Sequence, residues 1–522
     1  MGRIDSIFKD KKHKLTGLYG SCALVGLFTG LTIVALRFSL GMAQVIRTAR
    51  YRSFVENFSV DSVSLWVLYF LGISVFLYFS TKYFPNIKGG GIPLTRANLL
   101  KQVEFSWGRE LMLKFAGTIL TIGNGLSLGR KGPSIQLGAL VGDGVHKTLK
   151  RKEYEKKYFV SCGAAAGISA AFNAPLAGVI FALEELNRFF SPTLVTCVMI
   201  ASVVGDIVTR GLFGLHQVFS FDLHSTFNLI HYPTIIFLAL LCSLLGIYFN
   251  RSFVRFKEIY TGIMVHPIIK IFCIFLLAFS IGIMYTKFLG IGYSLADSMF
   301  NGSFPFRILF LFLGVKFFFT LICSVSGVPG GIFLPMLLIG SLIGRIYGEI
   351  MFRYFSLDEG YIIYFVVLGM ASFFTAVART PITASVLMLE LTGSFEHFFP
   401  LIVCSMVAFL VTEVAGSRSI YDFLLEDLLK NQRTEGNKDK KITLLIPVAS
   451  NSKLDSTRIK DTKWPNGSLV VCIGREDKEF IPHGDTLIEG GDVLTLLIDE
   501  NAAHSAKMKL FRLGEESFED ND

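Results

Sequence analysis

The sequence GNGLSLGRKGPSIQLG at residues 123–138 places a glycine- and proline-rich break inside an otherwise apolar part of the chain. Two similar breaks are KGGGIP at residues 88–93 and SGVPGGIFLP at residues 326–335. Because proline is favoured in the first turn of a helix, each break predicts a helix start. Broken backbone within a membrane is tolerated only where it lines a cavity or is buried in protein. The breaks therefore predict a membrane protein of interrupted helices, as in channels and transporters, and not a receptor of regular spans.

The composition of the 522-residue chain is that of an integral membrane protein. Hydrophobic residues make up 52% and charged residues only 17%, with a mean hydropathy of +0.54. Soluble domains carry about 25% charged residues, so a soluble enzyme, a coiled coil and a disordered chain are all excluded. The net charge of +9 indicates basic cytoplasmic loops. It does not indicate a nucleic-acid partner, because the basic residues flank apolar segments instead of forming one face.

The first apolar run, residues 15–36, is long enough to cross a bilayer and too long for the core of a secretory signal peptide. It follows a polar, basic arm at residues 1–14, which we expect to remain cytoplasmic. Further apolar runs continue to about residue 424, and several are too short to span unbroken. Residues 15–424 are therefore predicted to form a multi-pass domain in the lipid bilayer.

This membrane domain repeats two patterns at nearly the same offset. They are Pro133-x4-Gly138-x3-Gly142 with Pro335-x4-Gly340-x3-Gly344, and Gly163-x11-Pro175-x8-Glu184 with Gly369-x11-Pro381-x8-Glu390. Chance repetition in a glycine-rich chain is the alternative. Two independent matches favour a duplication, with related halves at roughly residues 15–215 and 230–424. Repeats of this kind usually place the substrate site at their interface, near the middle of the membrane.

The character of the chain changes after the membrane domain. Residues 425–441 are polar and charged and are interpreted as a linker, and residues 513–522 as an acidic tail. Between them, residues 442–512 contain the strand-like runs ITLLIP, SLVVCIG and DVLTLLI, and then the helical pattern ENAAHSAKMKLFR. These runs predict a small cytoplasmic α/β domain.

The three breaks also carry the chemistry. A helix start exposes unpaired N–H groups and the positive end of the helix dipole, and glycine lets that backbone approach a ligand closely. Three such starts that converge within a membrane would bind an anion. Close helix packing through small residues is the alternative for any single break. Three breaks, two of them in the repeated frame, favour the anion site.

At this point the sequence resembles a known family, the CLC chloride channels and proton-coupled chloride transporters, over roughly residues 12–430. The matching text is KGGGIP, GNGLSLGRKGPSIQLG, SAAFNAPLAGVIFALEE at residues 169–185, SGVPGGIFLP, and the tyrosine in GSRSIYDFLL at residues 416–425. The resemblance implies an inverted repeat of broken helices and a homodimer with one anion pathway per subunit. Residues 442–512 separately resemble the TrkA-C (RCK C-terminal) domain of regulated ion transporters.

The resemblance also implies site residues. The backbone amides of Ile332 and Phe333 match those that hold the central chloride, and Tyr421 matches the tyrosine whose hydroxyl donates to the same ion. An interfacial aromatic anchor is the other interpretation of Tyr421. Gly90 stands where the family has a selectivity serine, so preference for chloride over nitrate or bromide stays open. The full set implied for chloride is Gly90, Arg130, Gly132, Ile332, Phe333 and Tyr421.

The main departure from the family is Lys131, which stands at the position of a gating glutamate. Ionised, that glutamate occupies the anion site, and protonated it swings out with its proton; a lysine does neither. Lys131 is expected either to lie buried beside chloride or to snorkel to the outer interface. Glu185 matches the internal proton-transfer glutamate, although an ordinary carboxylate at a helix end is an equal alternative. The chain thus keeps a glutamate at the internal proton-transfer position but lacks the gating glutamate. This combination favours passive chloride movement over exchange for protons.

We therefore expect a chloride channel or uncoupled chloride transporter in the plasma membrane of a bacterium, with both termini cytoplasmic. A proton/chloride antiporter that uses another carboxylate is the alternative. No HExxH, GxSxG or paired-carboxylate site indicates an enzyme. The cysteines form no CxxC, and no metal or cofactor is predicted. The C-terminal domain is expected to bind a small regulatory ligand, with a cyclic dinucleotide suggested by its resemblance to related regulatory domains; a passive dimer clamp is the alternative.

Overall fold

The fold was examined in a computed structural model. It describes residues 2–214, 229–290, 292, 295, 298–300, 304–433, 441–449, 452–462, 464–475, 478–499 and 510. The chain divides into two units, residues 1–428 and 429–522. The first unit is helical, and the second contains a sheet.

Eight helices, α1 to α8, form the first half of the membrane unit. A long helix, α1, begins at Gly2. The predicted polar arm at residues 1–14 is therefore helical and continuous with the first span, because no proline interrupts the helix. The helices are α1 (Gly2–Glu56), α2 (Val60–Tyr83), α3 (Ile92–Leu99), α4 (Trp107–Gly123), α5 (Lys131–Thr148), α6 (Lys156–Phe172), α7 (Pro175–Phe181) and α8 (Pro192–Phe213).

The second half of this unit is again helical. The helices whose bounds fall within the described ranges are α9 (Tyr232–Gly262), α10 (Pro267–Met284), α11 (Phe306–Val325), α12 (Phe333–Phe355), α13 (Tyr361–Ala378), α14 (Pro381–Thr392), α15 (Phe398–Val414) and α16 (Ile420–Arg433). Within the described ranges, eight helices of the chain are long and apolar enough to cross a membrane. The expectation of a multi-pass helical membrane protein with broken helices is confirmed.

Equivalent helix pairs form the buried centre of each half. Helix α5 packs on α6 in the first half, and α12 packs on α13 in the second. At each crossing the repeated glycines face each other: a Cβ added to Gly340 would lie 2.5 Å from the carbonyl oxygen of Gly369, and Gly138 and Gly163 approach even more closely. The repeated glycines therefore allow backbone-to-backbone contact that any side chain would prevent.

The repeated glutamates cap helices of the opposite half. Glu184 accepts hydrogen bonds from the backbone N–H groups of Ile382 (3.1 Å) and Thr383 (2.7 Å), at the start of α14. Glu390 accepts from Leu176 (3.0 Å) and Ala177 (2.7 Å), at the start of α7. A carboxylate at a helix start satisfies orphan N–H groups and complements the helix dipole. The two halves are thus joined by a reciprocal pair of caps.

The predicted linker at residues 425–441 is shorter in the structure. Helix α16 continues through its first nine residues to Arg433, and a strand begins at Lys441. The reason is visible in the sequence LEDLLKNQR, whose leucines recur at helical spacing between charged residues. Residues 434–440 of the predicted linker, and the predicted acidic tail at 513–522, lie outside the described residues.

The C-terminal unit is built on an antiparallel sheet. Its strands, in the order β1-β4-β2-β3, are β1 (Lys441–Pro447), β2 (Ser468–Arg475), β3 (Lys478–Phe480) and β4 (Val493–Asp499). The three predicted strand-like runs correspond to β1, β2 and β4. Of the predicted closing helix, only Leu510 is described, and it is buried against the core of the sheet. Alternate residues of β4 supply that core, as the period of a half-buried strand requires.

An ion pair between a buried carboxylate and a partly exposed arginine joins the sheet to the turn before β4. Asp492 is almost fully buried and accepts two hydrogen bonds from the Arg475 guanidinium, each 2.8 Å long. It also accepts from the backbone N–H of Glu489 at 2.9 Å. Burial by itself would raise the pKa of Asp492, but Arg475 and the Glu489 amide together hold the pKa below its ordinary value. The ionised carboxylate therefore stabilises the folded domain.

We expect Asp492→Asn to speed amide hydrogen exchange in β2 and β4 about tenfold at pH 7, because the charged partner of Arg475 is lost. In the wild type, this stabilisation should be present above the unfolded-state pKa of about 4 and disappear as the pH falls through the lower folded-state pKa. Exchange measured by mass spectrometry on the full chain tests both. Asp485→Asn is the control, because Asp485 is exposed and pairs only at the surface. Equal exchange in both variants would contradict the assignment.

Candidate functional site

The three glycine- and proline-rich breaks meet in the structure. The N–H of Gly89 donates to the carbonyl of Gly327 at 3.1 Å, and the N–H of Gly330 donates back to the carbonyl of Gly89 at 3.0 Å. Gly129 and Gly331 exchange a similar pair of backbone hydrogen bonds, 2.6 and 2.9 Å long. The loops that precede α3, α5 and α12 therefore form one hydrogen-bonded unit.

This unit brings three helix starts together. Helices α3, α5 and α12 begin at Ile92, Lys131 and Phe333, and the residue that precedes each helix provides no capping side-chain hydrogen bond. The first N–H groups of each helix have no partner inside the helix. Uncapped starts that converge in one place are suited to an anion, because their N–H groups and dipoles are all positive toward it.

Glycine is required where the loops touch. A Cβ added to Gly132 would lie 2.6 Å from the carbonyl oxygen of Gly90 and 3.2 Å from the Cα of Gly331. A Cβ on Gly90 would also lie 3.2 Å from the Cα of Gly331, which is tight but can be relieved by a small shift. The predicted residues Gly90 and Gly132 are therefore neighbours, and the contact at Gly132 admits no side chain.

Lys131 points into the protein. Its side chain is fully buried, its Nζ lies over the ring of Phe172, and the Phe333 ring centroid is 5.7 Å from the same atom. The alternative in which Lys131 snorkels to the outer interface is therefore wrong for this structure. Among the described residues, Nζ has no hydrogen-bond partner and no acidic side chain pairs with it. Ring faces attract a cation but do not replace its hydration.

The predicted residues Arg130, Ile332 and Phe333 lie around the same helix starts. Arg130 is the N-cap of α5, and its Nη2 donates to the carbonyl of Ala171 at 3.3 Å. Ile332 is the N-cap of α12, and the Phe333 ring packs against Phe374 with centroids 4.5 Å apart. The amides assigned to chloride are thus held at the start of α12 by a well-packed side chain.

Tyr421 is buried at the start of α16. It is only 3% exposed, and its hydroxyl has no hydrogen-bond partner among the described residues. Burial with an unsatisfied hydroxyl is not what an interfacial anchor requires, because such a tyrosine keeps its polar end in water. Among the described residues, the hydroxyl of Tyr421 and the Nζ of Lys131 are two buried donors that lack an acceptor, and a small anion is a suitable acceptor for a donor of either kind.

Glu185 lies in a cluster of four charges. Helix α7 ends in a π-helical turn, Ala182–Asn187, which carries Glu185 into the protein. Its Oε1 lies 3.5 Å from Nη1 of Arg96, and its Oε2 lies 4.0 Å from Nη2 of Arg188. Asp422 joins the same two guanidiniums, at 2.6 Å from Arg96 and 2.8 Å from Arg188. The predicted proton-transfer position is therefore occupied by an ion-paired carboxylate.

Sequence reasoning missed Arg96, Arg188 and Asp422. Arg96 follows the KGGGIP break by one helical turn, and Asp422 follows Tyr421 directly, so both residues lie close to the motifs in the sequence. Their pairing spans 326 residues, and no local pattern reveals it. Lys114 was also missed: its buried Nζ donates to the carbonyls of Ile87 (2.9 Å) and Gly89 (2.6 Å), which fixes the loop before α3.

Comparison with known proteins identifies the family of the chain. Residues 72–413 match the family described as voltage gated chloride channel. The chain belongs to this family. Residues 444–510 match the TrkA-C domain, so both predicted resemblances are confirmed.

Similar proteins include exchangers from several bacteria. The chain is 32% identical over 437 residues to the H(+)/Cl(−) exchange transporter ClcA of Vibrio cholerae O395, which covers 79% of this chain and 90% of the relative. It is 30% identical over 428 residues to ClcA of Klebsiella pneumoniae strain 342, which covers 79% and 89%. The crystal structure of a slow cyanobacterial Cl−/H+ antiporter superimposes with a TM-score of 0.75 and 28% identity, over 80% of this chain and 99% of that one.

The contact at Gly132 generates a prediction. Gly132→Ala should weaken halide binding roughly tenfold or more, because the added methyl group pushes the Gly90 loop away from the helix starts. Binding is measured by calorimetry with chloride and bromide on the purified protein. Gly72→Ala is the matched control, because Gly72 has open space around its Cβ direction. If both variants bind halide like the wild type, the helix starts do not form the site.

Proposed function

We propose that this protein moves chloride across the membrane as a channel or uncoupled transporter. The observation that carries the proposal is the hydrogen-bonded unit of three breaks, which brings three helix starts together with the buried Lys131 Nζ at the start of α5. Tyr421 Oη is a second buried donor without a described partner, and we propose that it faces the same anion. The chloride-binding set we propose is Gly90, Arg130, Gly132, Ile332, Phe333 and Tyr421. Chloride fits this donor set because it accepts several N–H and O–H hydrogen bonds without bringing a proton.

Lys131 is the reason to expect movement of chloride without exchange for protons. Burial, together with the nearby Arg130 and Arg37, favours the neutral amine of Lys131, because an ammonium buried without a counter-charge costs several kcal/mol. An adjacent chloride offsets that cost and stabilises the ammonium form. A carboxylate at this position would compete with chloride for the helix starts, whereas the lysine attracts chloride to them. The side chain therefore acts as a resident partner of the anion and cannot act as an anionic gate.

Glu185 does not decide between uncoupled transport and antiport. A proton-transfer carboxylate has to gain and lose a proton during each cycle. Burial favours the protonated form of Glu185, whereas Arg96 and Arg188 favour the ionised form, and Asp422 makes the shorter contacts with both arginines. The proposal of uncoupled transport therefore depends on Lys131 and not on Glu185.

The second candidate function is proton/chloride antiport through another carboxylate. It is favoured by the names of the relatives, which are H(+)/Cl(−) exchange transporters, and by the presence of a buried glutamate at position 185. This candidate needs a protonatable group near the anion site, and no described acidic residue pairs with Lys131. Proton flux recorded beside chloride flux separates the two functions.

In liposomes, a chloride gradient should not drive protons uphill through the wild-type protein. Potassium should stay behind while chloride leaves. Lys131→Glu should introduce a flux that depends on pH or voltage, because an ionisable anion mimic returns to the helix starts. Lys131→Met is the matched control, since it keeps the length of the side chain without a charge. Stoichiometric proton pumping by the wild type at pH 7 would contradict uncoupled transport.

We further propose a homodimer in a bacterial plasma membrane, with cytoplasmic termini and no enzymatic activity or cofactor. The positive net charge and the basic residues within the first fourteen positions of the chain support the orientation. The TrkA-C domain is proposed to regulate flux by binding a small ligand, with a cyclic dinucleotide as the first candidate. A ligand can shift a gate only by its different affinity for the two states.

Regulation is tested by deleting residues 436–522. Full-length protein should change its chloride flux about 5- to 150-fold when the regulatory ligand binds, the range of typical coupling free energies. Flux assays with and without cyclic dinucleotides, in liposomes, compare the two forms. If the truncated and full-length proteins respond alike to every candidate, the domain is a passive clamp and not a regulator.

A further inference from the structure

The charge cluster around Asp422 connects three elements of the candidate pathway. Arg96 comes from α3, the helix that begins at the first break, and Glu185 and Arg188 come from the turn after α7. Asp422 lies in the first turn of α16, next to Tyr421. Two guanidiniums and two carboxylates balance, so the cluster carries no formal net charge.

Asp422 is the centre of this cluster. Its Oδ1 accepts from Arg96 at 2.6 Å and from Arg188 at 2.8 Å, and its Oδ2 accepts from Arg188 at 2.9 Å. Glu185 lies farther from both arginines, at 3.5 and 4.0 Å. The shorter, two-oxygen contacts show that Asp422 makes the stronger hydrogen bonds of the two acids.

The main chain of Tyr421 is consequently held on both sides. On one side, the hydroxyl of Ser419 donates to the carbonyl of Ala378 at the end of α13 (2.9 Å) and accepts from the Tyr421 N–H (3.3 Å). On the other side, Asp422 is fixed by Arg96 and Arg188. The Tyr421 hydroxyl has no described protein partner of its own, so its position depends on these flanking contacts.

We infer that Asp422 is a positioning residue for anion binding, which acts by directing the Tyr421 hydroxyl into the site through its arginine contacts. The inference rests on the proposed function, because Tyr421 serves as a donor only if chloride is bound. In this inference Asp422 does not bind the transported ion itself. Its contact with Arg96 ties the first turn of α16, which carries Tyr421, to α3, the helix that begins at the first break.

A simpler role for Asp422 has to be distinguished from this one. An acidic residue in the first turn stabilises a helix through the dipole, whatever it does for a neighbouring side chain. That role would alter thermal stability and leave the chloride affinity of folded protein unchanged. An electrostatic role, in which freed arginines change the local potential, would alter affinity whether or not Tyr421 carries a hydroxyl.

The test is a double-mutant cycle on chloride affinity, measured by calorimetry on the full-length protein. Asp422→Asn should raise the chloride Kd about fivefold, the order expected from losing one well-directed hydrogen bond. Tyr421→Phe should raise it by at least as much. In the Tyr421→Phe background, Asp422→Asn should have no further effect, because the group that it positions is gone. Asp422→Glu should restore most of the affinity.

Asp427→Asn is the matched control. Asp427 lies on the same helix and also forms an ion pair, at 2.5 Å, with Lys257 of α9. Its loss should leave the chloride Kd unchanged. Arg188→Gln provides a milder version of the Asp422 change, because Arg188 is half exposed and Arg96 remains paired. It should raise the Kd by a smaller factor that also disappears in the Tyr421→Phe background.

Three results would overturn the inference. One is an unchanged chloride Kd in folded Asp422→Asn, and another is the same Kd increase in Asp427→Asn. The third is an effect of Asp422→Asn that persists in full without the Tyr421 hydroxyl, which would assign Asp422 an electrostatic role. Wild-type chloride binding and flux are measured first. If the wild type carries no chloride, the proposed function fails; if it does and the cycle shows no coupling, only this inference fails.

Discussion

Backbone that is broken inside a membrane has to find hydrogen bonds within the protein, and the candidate site follows from this constraint. The loops before α3, α5 and α12 meet it by bonding to one another, through Gly89 with Gly327 and Gly129 with Gly331. These loop hydrogen bonds do not use the first N–H groups of the three helices, which therefore remain available near one point. The requirement to satisfy broken backbone and the ability to hold an anion thus have the same structural origin.

The charged groups of the candidate site have different surroundings. Lys131 lies among aromatic rings, and no described acidic side chain pairs with it. Glu185 and Asp422, by contrast, share the guanidiniums of Arg96 and Arg188. A bound anion would therefore give Lys131 the partner that it lacks among the described residues, whereas the two acids already have positive partners.

Most of the architecture could be predicted from the sequence, because glycine and proline act locally. The breaks predicted helix starts, and the structure begins α3, α5 and α12 within them. The direction of the Lys131 side chain could not be predicted, since both alternatives share one backbone. Nor could the pairing of Arg96 with Asp422, which depends on how distant elements pack. The helical part of the predicted linker was missed because charged residues on an amphipathic helix resemble a loop when read singly.

The reciprocal caps formed by Glu184 and Glu390 have a consequence for the history of the chain. Each half supplies a carboxylate that the other half needs at a helix start, so neither half is complete in its hydrogen bonding. If the halves arose by duplication, the ancestral single repeat could satisfy the same starts only by pairing with a second copy of itself. Fusion of two copies into one chain would then have preserved an existing contact between subunits as a contact between domains.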